Sequence, residues 1–135
     1  MEELDMSIKS ARLVSTLSAG LALLWCLLVG AWIWMTPIRY AGSRSSGTET
    51  IPFEEFLTFA QASRLGVLPL VVPVLLAALA TWAAWKERGL PLALSTVALV
   101  AFTIVSGFSI GVAYLVATAA VLCAWLIRLN VDAPR

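Results

Sequence analysis

GLPLALSTVALVAFTIVSGFSIGVAYLVATAAVLCAWLI, residues 89–127, runs for 39 residues without a charged side chain, bounded by Arg88 and Arg128. As one helix it would be about 59 Å long at ~1.5 Å per residue. A bilayer hydrocarbon core is about 30 Å thick and takes about 20 apolar residues per crossing. The run must therefore fold in two. The place to fold is Ser106-Gly107-Phe108-Ser109-Ile110-Gly111, where two glycines and two serines sit together at mid-run. That gives two spans, about 90–105 and 110–127, both short enough to stand nearly upright or in locally thin bilayer.

The remaining composition agrees with this setting. Of 135 residues, 61% are hydrophobic and 13% charged, whereas soluble domains carry about 25% charged residues. The length suits a single integral membrane domain, residues 1–135, with the lipid bilayer as its first partner. Nine basic residues against eight acidic ones give no sign of a nucleic-acid partner. They also form no Lys/Arg cluster along the chain of the size that binds anionic headgroups.

Toward the N-terminus, residues 1–12 are polar and lead into an uncharged run, about 13–35. A secretory signal has an apolar region of about 7–15 residues followed by a small-residue cleavage site. This run is longer and ends in Trp32-Ile33-Trp34-Met35-Thr36-Pro37, so it reads as a retained span with tryptophans at the interface. An outer loop, 36–65, follows. Its first half is rich in Gly, Ser and Thr and reads as flexible. In its second half Phe53, Phe56, Leu57 and Ala60 recur at i, i+3, i+4 and i+7, the spacing of a short amphipathic helix. Such a helix suits the membrane interface, and packing on the bundle explains the same residues equally well. The next span, about 66–85, carries Pro69 and Pro73 and is expected to kink near its start. Trp82 and Trp85 then precede a tight turn at Lys86-Glu87-Arg88.

Lys9, Arg12, Lys86, Arg88, Arg128 and Arg135 fall on one side of these spans, and Arg39, Arg44 and Arg64 on the other. Basic residues favour the cytoplasmic side, so both termini are expected in the cytoplasm and the outer loop and SGFSIG turn outside.

Several chemistries have no residues to carry them. Histidine is absent, which removes the commonest general base and metal ligand. No span holds an ionisable group, the usual mark of intramembrane function. Small four-helix multidrug exporters are similar in size and span count, but they need an intramembrane glutamate. Cys26 and Cys123 stand singly, about 9 Å apart in depth at ~1.5 Å per residue, too far to bridge. They read as small apolar packing residues. Glu54 and Glu55 point about 100° apart on a helix and read as a solvated face. Hydroxyls within the spans are expected to bond to carbonyls of their own or a neighbouring helix. Hence no catalytic, cofactor-binding or metal-ligating residue is assigned, no cofactor is expected, and the chain is read as not an enzyme.

The remaining candidates concern packing. Ser106, Gly107, Ser109 and Gly111 form the turn. Ala113, Ala117 and Ala120 continue a small-residue face suited to close approach of another helix, in this chain or a partner.

At SGFSIGVAYLVATAAVL, residues 106–122, the chain resembles a group of small uncharacterised bacterial four-span membrane proteins. They share a long first outer loop, a proline-containing second span and an SGFSIG-like hairpin turn followed by Tyr-Leu, here Tyr114 and Leu115. The resemblance implies a bacterial cytoplasmic membrane and brings no activity with it. The expected protein is an all-α four-transmembrane-helix bundle. Its expected role is non-catalytic, as an accessory or assembly partner of a membrane complex, contacting another membrane protein or itself. The alternative is a small transporter or permease-like protein for an apolar or lipid-like molecule, binding near Pro69 and Pro73.

Overall fold

Thr103 and Thr118 lie fifteen residues apart, about 22 Å along a single helix, yet their Oγ1 atoms are 2.7 Å apart. The uncharged run therefore does fold back on itself. The structure is a computed structural model describing residues 1–58, 61 and 67–132. Among these, the chain forms α1 (Glu2–Met35), β1 (Pro37–Ser46), β2 (Glu49–Thr58), α2 (Leu68–Trp85), α3 (Gly89–Val105) and α4 (Val112–Asp132). A π-helical segment, Gly107–Gly111, leads into α4.

The two glycines of the turn have separate duties. Gly107 adopts φ +56°, a left-handed conformation that costs a residue with a Cβ roughly 1–2 kcal/mol. Gly111 lies against the end of α3, where an added Cβ would run into the carbonyl oxygen of Thr103. One glycine reverses the chain and the other lets the returning segment approach. At the opposite end of the bundle, the amide of Arg88 donates to Ala83 O at 2.9 Å and that of Glu87 to Ala84 O at 3.3 Å. This is the paired 6→1 and 5→2 bonding of a Schellman cap, with Glu87 at φ 57° in the position glycine usually takes.

The helices alternate in direction and close into a ring. α1 packs on α4 and α2, and α3 on α2 and α4. Ser15 Oγ donates to Ala124 O at 2.9 Å, Ser18 Oγ to Ala120 O at 2.7 Å and Trp25 Nε1 to Ala113 O at 2.8 Å. Residue numbers rise on α1 as they fall on α4, so the pair is antiparallel. The sheet and the Gly107 turn therefore share one end of the bundle. The Glu87 turn and the C-terminus of α4 share the other.

Small residues fill the interior: Ala19, Ala22 and Cys26 of α1, Ala77, Ala80 and Ala83 of α2, and Ala117 and Ala124 of α4 are buried. Large apolar residues face outward, as with Leu17, Leu21, Leu24 and Leu28 along α1. Water-soluble monomers rarely expose contiguous apolar surface of this extent. In lipid, where apolar burial does not drive association, close backbone approach and interhelical hydrogen bonds hold helices together. Three helices, α1, α2 and α4, are long and apolar enough to cross a membrane. α3, with 17 residues, is apolar but shorter.

Two expectations need correction. The outer loop does not carry a helix at Phe53, Phe56 and Leu57; these residues lie in β2, and Ala60 lies outside the described residues. Ile51, Phe53 and Leu57 also fit a strand's two-residue period, and the β-branched and aromatic content of 50–58 favours extended chain. The Gly/Ser-rich half supplies the partner strand, paired from Pro37↔Thr58 to Ser46↔Glu49. Between them Gly47 alone of the two turn residues has positive φ, +69°, as a type II′ hairpin turn requires. The second correction concerns Pro69, which falls in the first turn of α2, where its missing N–H has no helical acceptor in any case. Pro73 alone is interior to the helix.

Candidate functional site

Opposed residues of an antiparallel pair share a face, so the register divides the hairpin's side chains. One face carries Ile38, Ile51, Phe53 and Leu57, with Arg44, Glu49 and Glu55 among them. The other carries Thr58, Arg39, Phe56, Glu54, Ser43, Pro52, Ser45 and Thr50. On that second face Arg39 and Glu54 form an ion pair. The ring of Phe53 lies over Gly42, its Cζ 2.9 Å from where a Cβ would stand, so the aromatic side chain covers the bare backbone opposite. Ile51 is 56% exposed and Phe56 72%. Among the described residues, the hairpin meets the bundle chiefly where β2 touches α1.

The small-residue face expected on the last helix is used inside the chain. Ala117 is fully buried, and Ala113 and Ala120 pack partly buried on the same core. Their backbones face α1, whose Trp25 and Ser18 bond the carbonyls of Ala113 and Ala120. The hydroxyls behave as expected. Thr16, Thr81, Ser95 and Thr96 each donate to the carbonyl four residues earlier. Of Thr103 and Thr118, one hydroxyl donates to the other and the other to its own i−4 carbonyl. Ser15 and Ser18 bond across helices. Ser109 lies within the π-helical segment. Both cysteines are free, Cys26 buried and Cys123 exposed.

Sequence reasoning missed what lies at the far end. Arg12 Nη1 donates to Glu87 Oε1 at 2.8 Å. Arg128, only 9% exposed, donates from Nη2 to the Glu87 carbonyl at 2.8 Å and from Nε to Asp132 Oδ2 at 2.7 Å. Glu87 thus ties α1 and α4 to the turn between α2 and α3. The available signal was a non-glycine residue in a turn this short, KERGLP, but its partners lie 75 and 41 residues away. The core holds a second unforeseen feature. Tyr114 is completely buried, edge-on to Phe102 at 5.9 Å, and its hydroxyl has no hydrogen-bond partner among the described residues.

Apolar grooves lie between α1 and α2. One, of about 370 Å³, includes Gly30, Trp34, Leu70 and Val74 beside Pro69 and Pro73. Another, of about 450 Å³, lies nearer the Glu87 turn. Among the described residues, no three His, Cys, Asp or Glu side chains cluster so as to hold a metal ion. No family model matches the chain, and no curated protein or solved structure proves similar to it.

Proposed function

We propose that this is a small non-catalytic integral membrane protein that assembles with a partner membrane complex, using the hairpin of β1 and β2 as its contact surface. The four helices act as its anchor, α3 crossing as a fourth span beside α2 and α4, in a bacterial cytoplasmic membrane with both termini cytoplasmic.

The observation that carries this reading is the exposed mixed face of the hairpin. A two-stranded hairpin is marginally stable by itself in water, and this one has little contact with the bundle, chiefly that of β2 with α1. Its exposed apolar residues need cover. Arg44, Glu49 and Glu55 among them do not suit insertion into lipid, and three acids against two arginines over residues 37–58 do not suit anionic headgroups. An apolar patch interleaved with charge fits a protein interface. The small-residue helix face, by contrast, is engaged internally and leaves nothing for a partner at Ala117.

Purification of the full chain from its native membrane in mild detergent tests this. The wild type is expected in a species larger than the monomer, and Ile51→Lys is expected to release the monomer without changing its thermal stability. A wild-type chain that elutes as a monomer refutes the reading.

A second reading, a small permease-like protein for an apolar molecule, draws on the groove of about 370 Å³ beside Pro69 and Pro73. Ligand-dependent thermal shifts of a monomeric chain would favour it.

A further inference from the structure

The groove of about 450 Å³ between α1 and α2 is walled by Thr16, Leu23, Ala78, Thr81, Trp82 and Trp85, all of them apolar or with the hydroxyl turned to a backbone carbonyl. Its upper wall carries cations. Lys86 Nζ sits 5.0 Å from the centroid of the Trp85 ring, and the Arg88 guanidinium 5.7 Å from that of Trp82. Across the groove, Arg12 lies one helical turn from Thr16, whose hydroxyl bonds the Arg12 carbonyl. Arg12 reaches the same turn through Glu87, yet its buried Nε has no acceptor among the described residues. No aromatic wall of the other grooves has a cation stacked on it among the described residues. Arg12, distant in sequence, is thus brought to the turn that carries Lys86 and Arg88, whose cations stack on two tryptophans of one apolar trough.

We infer that this trough is a binding site for an anionic phospholipid, with an acyl chain along Leu23, Ala78 and Trp82 and the phosphate among Lys86, Arg88 and Arg12. Lipids need both parts: the trough removes chain surface from competing lipid without discriminating headgroups, and the cations discriminate. Tryptophans belong at this depth because an amphipathic ring can face acyl chain on one side and headgroup on the other. Glu87 offsets one of the three charges, so two remain to select an anion. The site is independent of the hairpin, which lies at the opposite end of the bundle.

The test uses the full chain in dodecylmaltoside, with palmitoyl-oleoyl phosphatidylglycerol or phosphatidylcholine added, followed by thermal unfolding and native mass spectrometry. Phosphatidylglycerol is expected to raise the melting temperature more than phosphatidylcholine and to stay bound at one per chain. Each surface cation contributes about 1 kcal/mol to anionic-lipid attraction, so the double variant Lys86→Gln, Arg88→Gln should weaken phosphatidylglycerol about 30-fold, to the phosphatidylcholine level. Both side chains are exposed, so the lipid-free variant should unfold as the wild type does. Ala78→Leu, which narrows the trough, should weaken both lipids. Equal binding of the two lipids, or a preference that survives the double variant, overturns the inference. So does equal stabilisation by inorganic phosphate or glycerophosphoglycerol, because the trough would then have no part.

Discussion

Gly107 and Gly111 stand four residues apart in one turn, and replacing each by alanine separates two physical effects. At Gly107 nothing lies within 4 Å of the added Cβ. The penalty is then conformational alone, roughly 1–2 kcal/mol for a left-handed alanine. At Gly111 the dihedrals are ordinary, but the Cβ would overlap the Thr103 carbonyl oxygen and stand 3.4 Å from the Ser106 carbonyl carbon. A side chain in the way can rotate, whereas a backbone carbonyl at a helix end can only be displaced with its helix. Overpacking in well-packed interiors costs typically 1–3 kcal/mol, and displacement of backbone puts Gly111→Ala at or above the top of that range, about 3 kcal/mol. The Thr103–Thr118 hydroxyl contact, 2.7 Å, should be lost with it. Reversible unfolding in mixed micelles by added dodecyl sulfate, followed through the six tryptophans, measures both variants. If Gly111→Ala is no more destabilising than Gly107→Ala, α3 and α4 do not meet as described.

Four further outcomes are expected from the same unfolding assay. Tyr114→Phe should leave stability unchanged or raise it by about 1 kcal/mol, because it removes a buried hydroxyl without an acceptor; a loss of that size would mean the hydroxyl is bonded. Gly30→Ser places a Cβ 3.7 Å from that hydroxyl and should stabilise the wild type but not the Tyr114→Phe variant. Ser15→Ala and Ser18→Ala should each cost about 0.6 kcal/mol, the average for a side-chain bond between membrane helices, and equality with wild type for both would remove the α1–α4 register. Ala117→Leu should destabilise the isolated chain by about 1–3 kcal/mol, since Ala117 is wholly buried; a normally stable chain deficient only in assembly would return that face to a partner.

The fold of the 89–127 run was legible because a length argument decided it. No arrangement of that uncharged segment fits a bilayer without a turn, and in its interior only Ser106–Gly111 supplies glycine. The hydroxyl bonds were legible for a similar reason, since a serine or threonine in a helix always has a carbonyl one turn back. The hairpin was not. Phe53, Phe56 and Leu57 satisfy a helical period, and Ile51, Phe53 and Leu57 a strand period. The deciding partner, Pro37–Ser46, has the composition of a flexible loop. A strand's stability lies in a pairing that its own residues do not reveal. Long-range closure hid the rest of the site. Arg12, Glu87 and Arg128 meet because α1 returns to lie against α4, and the cations at 12, 86 and 88 make no cluster along the chain. Pro69 was misread through a boundary: α2 starts at Leu68, which turns an interior proline into a first-turn one.

The central claim is that the hairpin's mixed face, and not the helix bundle, meets another protein. Site-specific photocrosslinking in intact cells addresses it directly. A benzophenone side chain is placed at Ile51 on the mixed face, at Ser43 on the opposite face, or at Leu28 on the outside of α1. A single discrete adduct, heavier than the chain, is predicted from Ile51 and none from Ser43 or Leu28. An adduct from Leu28 with none from Ile51, or no adduct from any of the three, would contradict it.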